Sequence, residues 1–168
     1  SATNQSFRMI IRPDIWGRQL RIRLSNAHGS KPITFNEIYV GMQSMSSAIL
    51  PSTNRQLQFG NSETVTIEAG QWSVSDPVTL DFITNPNDPL LTGRTIAVSF
   101  HVSGNTGPMT YHAKALQTSY LSEPNARDVC SAQEEAGFPY STTSWFFLDA
   151  VDMNMTAPTK VIVAFGDS

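Results

Sequence analysis

Nowhere in this sequence do apolar residues recur with helical spacing and caps over about ten positions. A core built from helices is therefore excluded, and short apolar runs cut by turn clusters must supply it. The cleanest is Arg18-Gln19-Leu20-Arg21-Ile22-Arg23-Leu24, with Leu20, Ile22 and Leu24 on one face and Arg21 and Arg23 on the other. Strict alternation of this kind marks a strand with one face on a core and one in water. Ser25 to Ser30 is a turn cluster. Ile33 to Met42 reads as a longer strand whose apolar face switches near Glu37-Ile38, which predicts a bulge there. Ser6–Arg12, Gln56–Phe59, Glu63–Ile67, Ser73–Phe82, Arg94–Val102 and Trp145–Met153 read as further strands, with Pro77 implying an edge or a break. Ser44–Asn54 reads as a loop, and Ser122–Thr143 as a long polar excursion, which in a compact domain is functional or mobile. About eight or nine short strands at such spacing predict an all-β fold, an antiparallel, jelly-roll-like β-sandwich.

Charged residues make up only 15% of the chain, well below the usual quarter, a profile shared with many extracellular β-rich domains. The net charge of −3 supplies no basic surface, so no nucleic-acid partner is expected. No apolar run approaches the length of a membrane span. Ser1-Ala2-Thr3-Asn4 lacks the basic and apolar regions of a signal peptide, so the protein is cytoplasmic or has lost its signal. Asn4-Gln5-Ser6 and Asn154-Met155-Thr156 match the N-glycosylation pattern, which tips the expectation toward a secreted protein. Cys130 is the sole cysteine, either an unpaired thiol or the partner of a cysteine outside this chain. His28, His101 and His112 lack metal-ligand spacing, so neither a metal nor another cofactor is expected. His112, beside Tyr111, is the candidate for lining a substrate cleft. Trp145-Phe146-Phe147 is a consecutive run whose side chains must point to alternate faces, leaving at least one to meet a neighbouring domain or a sugar.

The final stretch has a different character. Val161 to Phe165 is a continuous, β-branched-rich apolar run suited to a strand of a parallel sheet, and Gly166-Asp167-Ser168 follows it directly. This end resembles the first block of the GDSL, or SGNH, family of serine esterases and lipases. Arg21-Ile22-Arg23-Leu24-Ser25-Asn26-Ala27-His28-Gly29, Thr118-Ser119-Tyr120 and Trp145 to Asp152 also resemble the β-sandwich that precedes the catalytic block in some bacterial and fungal members. The resemblance implies a sandwich over residues 1–156. Residues 157–168 would then be the linker and the first strand of an SGNH hydrolase domain. It further implies Ser168 as nucleophile, a carboxylic ester as substrate (an acyl or acetyl ester, on carbohydrate in some cases), and the rest of the catalytic domain as partner, in the same parent chain or a second polypeptide. The family's oxyanion-hole Gly and Asn and its late Asp-x-x-His are not in this chain. A serine without its base is a poor nucleophile at neutral pH, so the chain alone is not expected to be an efficient esterase. The alternative reading is a non-catalytic carbohydrate-binding sandwich whose Gly-Asp-Ser is incidental.

Overall fold

The computed structural model describes residues 1–155; the Lys160–Phe165 run and Ser168 lie outside them. In chain order the strands are β1 (Thr3–Ile11), β2 (Gln19–Ser25), β3 (Ile33–Met42), β4 (Arg55–Gln56), β5 (Thr64–Ile67), β6 (Trp72–Val74), β7 (Val78–Thr79), β8 (Ile96–Asn105), β9 (Tyr111–His112), β10 (Ser119–Leu121), β11 (Tyr140–Thr142), β12 (Trp145–Phe146) and β13 (Leu148–Met153). Every pairing among the described residues is antiparallel. A seven-stranded sheet has the order β11-β10-β1-β8-β3-β4, with β5 also on β3; a four-stranded sheet has the order β13-β2-β6, with β7 also on β2; β9 and β12 form a separate ribbon. The protein is thus an antiparallel β-sandwich. Among the described residues no helix is long and apolar enough to cross a membrane.

The alternation in β2 does what its pattern requires. Leu20, Ile22 and Leu24 are buried, while Arg21 and Arg23 on the outer face pair with Asp152 and Asp149 of β13 at 3.0 and 2.7 Å. These ion pairs are exposed and contribute little to stability. The core between the sheets is aromatic: Phe7 stacks on Phe100 at 5.5 Å, and Phe147 meets Phe7, Phe35 and Phe100 edge-on at 5.3–6.3 Å. Edge-to-face packing of this kind adds to plain area burial.

The bulge expected in β3 is present. Asn36 pairs with His101 and Tyr39 with Ser99, so three steps on β3 oppose two on β8, and Glu37 takes φ +50°. The extra residue lets Phe35 and Ile38 both face inward. The expected Ser73–Phe82 strand is broken, as Pro77 required, into β6 and β7, both on β2. The expected single strand Trp145–Met153 is also two pieces. Phe147 adopts φ +59°, a strained conformation for a bulky residue, and bends the chain between β12 and β13. Its N–H donates to the Thr110 carbonyl at 2.9 Å, its carbonyl accepts from the Ser25 N–H at 2.7 Å, and its ring fills the core. Those contacts hold the kink.

The polar excursion after Ser122 is ordered over the outer face of the large sheet, and its far end supplies β11. β1 and β8 are consequently buried on both faces.

Candidate functional site

Two polar constellations stand out, one buried and one open. The buried one lies where the excursion covers β1 and β8. Arg8, in the middle of an apolar strand, is fully buried. Its Nε donates to Ser99 Oγ at 2.8 Å, Nη1 to the Ser47 carbonyl, and Nη2 to the carbonyls of Ala132 at 2.7 Å and Cys130 at 3.3 Å. The guanidinium carbon also lies 4.1 Å from the centre of the Phe138 ring. Burial pulls its pKa down to about 10, so it remains charged at neutral pH. One cation thus ties the Ser44–Asn54 loop and the excursion to the sheet.

Beside it, Ser6 Oγ lies 2.9 Å from His101 Nδ1, and Asp128 accepts from the Cys130 N–H at 2.7 Å and from Asn36 Nδ2 at 3.4 Å. Cys130 is free and fully buried, and burial together with nearby Asp128 raises its thiol pKa well above the ordinary value. Such a thiol stays protonated and inert. The Ser6–His101 pair has the chemistry of a nucleophile and base, but Ser6 is sealed from solvent. It is structural.

His101 has a stability consequence. Burial lowers its pKa below 6.5, against the pull of Asp128 and Glu37 in the opposite direction. The folded state therefore holds the neutral ring, and its contribution is complete above pH 6.5. It is lost as pH falls from there through the lowered folded value, because the unfolded chain takes up the proton first. Thermal midpoints should fall more steeply for the natural protein than for His101→Gln on acidification below that point. Parallel slopes for the two proteins would sink this assignment.

The open constellation is a cleft of about 420 Å³ between the end of the small sheet and the β9–β12 ribbon. His112 lines it, together with Tyr111, Trp145, His28 and Asp149. Its walls are fixed from behind. Trp145 Nε1 donates to the Ile10 carbonyl at 2.9 Å, and the His28 N–H donates to Thr110 Oγ1 at 2.9 Å. The His28 turn depends on Gly29, where an added Cβ would stand 1.8 Å from buried Asn26 Oδ1. The Asn26 amide in turn donates to the carbonyls of Lys31 and Ile67, locking the turn to the sandwich. Of the Trp145–Phe147 run, expected to turn at least one member away from the core, Phe147 is core, whereas Trp145 and Phe146 are half-buried.

Sequence reasoning singled out His112 but not His28, Asp149 or Arg8. An arginine inside the apolar run Phe7–Ile11 was the available signal for the last of these. Among the described residues no group of three or more His, Cys, Asp or Glu could hold a metal ion. Asn4 is exposed, with its Oδ1 accepting from the Gly104 N–H at 2.7 Å. Asn154 is also exposed, while Thr156 of its acceptor pattern lies outside the described residues. No protein-family model matches the chain, and neither does any curated protein.

Proposed function

We propose that this chain is the N-terminal sandwich of a GDSL-like serine esterase, reaching as far as its nucleophile, Ser168. The observation that carries the reading is the pairing of β2 with β13. Arg21–Gly29 and Trp145–Asp152, the longest stretches of the sandwich resemblance, are distant in sequence but hydrogen-bonded neighbours, and both contribute to the cleft. β13 then leads toward the Gly166-Asp167-Ser168 block that resembles the family's catalytic one.

In this reading Ser168 Oγ attacks an ester carbonyl while its proton passes to a histidine outside this chain. The alcohol leaves with that proton, and water hydrolyses the acyl-enzyme. The Ser168 N–H supplies part of the oxyanion hole, the family's Gly and Asn the remainder. The sandwich packs against the catalytic domain and shapes its entrance. Hollows lined by Gln19, Pro77 and Asn154, and by Ile15, Leu91 and Met155, lie at the end of β13 and offer that surface. An extracellular setting belongs to the same reading.

The test is covalent labelling. The protein carrying the remaining catalytic blocks should gain one fluorophosphonate adduct, which peptide mass spectrometry places on Ser168. An adduct at another residue, or none in a folded protein that hydrolyses esters, would overturn the assignment.

A further inference from the structure

Tyr and Trp, apolar in body and polar at the tip, are the aromatic side chains enriched at binding surfaces. Among the described residues the most exposed are Tyr111, at 60%, and Trp72, at 57%. Tyr111 lines the cleft, and Trp72 lies directly across the strand pair from Ser25, which also lines it. The Arg23 guanidinium sits 5.4 Å from the centre of the Trp72 ring, and Arg23 Nε donates at 2.7 Å to Oδ1 of Asp149, which lines the same cleft as Tyr111. The Arg23–Asp149 pair thus links the Trp72 ring to the cleft that Tyr111 lines. The pair is neutral overall, so it favours no ionic ligand.

We propose that this cleft binds a neutral saccharide. The C–H face of a pyranose stacks on Tyr111 or Trp72, while vicinal hydroxyls donate to the Asp149 carboxylate and accept from Arg23. His28 and His112 supply further in-plane partners. The size fits, since about 420 Å³ lies within the range of small-molecule sites. Preorganisation fits as well. The strained backbone at Phe147, the Trp145 bond to Ile10 and the Gly29–Asn26 lock hold the rim without a ligand. Strain persists where surrounding structure over-determines it, and it clusters at binding sites. The cleft is at the Leu24–Leu148 end of the β2–β13 pair, opposite the Leu20–Met153 end. The saccharide site does not rest on the role of Ser168.

Affinity electrophoresis of the full-length protein through gels containing hydroxyethylcellulose, arabinoxylan or glucomannan tests the proposal, with polygalacturonate as the anionic control. At least one neutral polymer should retard the protein. Tyr111→Ala and Trp72→Ala should each weaken that retardation about tenfold, while Tyr111→Phe preserves it. Both positions are exposed, and unchanged thermal midpoints would show that the alanine variants remain folded. Binding should persist in Ser168→Ala whatever that variant does to hydrolysis, so failure of the esterase reading would be seen separately. No retardation by any neutral polymer, retardation by polygalacturonate alone, or equal retardation of the natural protein and both folded alanine variants would overturn it.

Discussion

Arg8→Met is expected to destabilise the protein by about 3 kcal/mol, or roughly 10 °C in thermal midpoint for a chain of this size. Methionine replaces the aliphatic stem as far as Nε and leaves the place of the guanidinium empty, so a small cavity adds to the polar loss. The carbonyls of Ser47 and Ala132 would remain under the excursion without their donor. Each unsatisfied buried acceptor costs about 1–3 kcal/mol. Removing the cation also removes its desolvation penalty, the cause of its lowered pKa, and that partly offsets the loss. Arg8→Lys should recover little. A single ammonium cannot reach Ser99 Oγ and carbonyls from two separate loops in the directions that a guanidinium fork covers. A second measurement locates the damage. Cys130, whose carbonyl also accepts from Arg8, is sealed in the natural protein and should resist an aromatic disulfide reagent under native conditions. In the variant the excursion loses its staple and the thiol should react within the folded state. A variant with an unchanged midpoint and an unreactive thiol would show that the loops are held by something else.

Arg8 also marks where local pattern stops being informative. The alternation in β2 and the face switch at Glu37-Ile38 were legible because both depend on side-chain period along one strand. The break at Pro77 was legible because proline removes a donor. The kink at Phe147 was not. Every residue from Trp145 to Met153 is compatible with a strand, and the turn is imposed by partners at Thr110, Ser25 and the Phe7–Phe35–Phe100 cluster. The excursion looked like a loop without period because its order comes from main-chain carbonyls meeting a distant arginine, a relation no window of sequence contains. The cleft was half legible. Tyr111-His112 stood out as neighbours, whereas His28, Asp149 and Trp72 reach the same surface only through the pairing of β2 with β13 and β6.

Ser168→Ala is expected to lower kcat/KM for a p-nitrophenyl ester by a factor on the order of 10⁴ or more in the protein that carries the remaining catalytic blocks. The loss should fall on kcat, since in the proposed mechanism the hydroxyl forms the acyl bond and contributes little to ground-state binding. Asp167→Asn should be far milder if that side chain only anchors the turn through hydrogen bonds to the backbone. The informative control is Ser6→Ala. Among the described residues Ser6 is the serine whose hydroxyl meets a histidine ring, at 2.9 Å from His101 Nδ1, and proximity alone would make it the rival nucleophile. Burial decides against it. An acyl group would have to displace the excursion, which Arg8 holds by its bonds to Cys130 and Ala132. The Ser6 hydroxyl also lies 3.4 Å from the Val129 N–H, within that same cover. Ser6→Ala should therefore lower the thermal midpoint, through the lost His101 contact, while leaving kcat/KM below the melting transition within about twofold of the natural protein. Hydrolysis that survived Ser168→Ala and disappeared with Ser6→Ala would move the nucleophile into the sandwich and require the excursion to open during turnover.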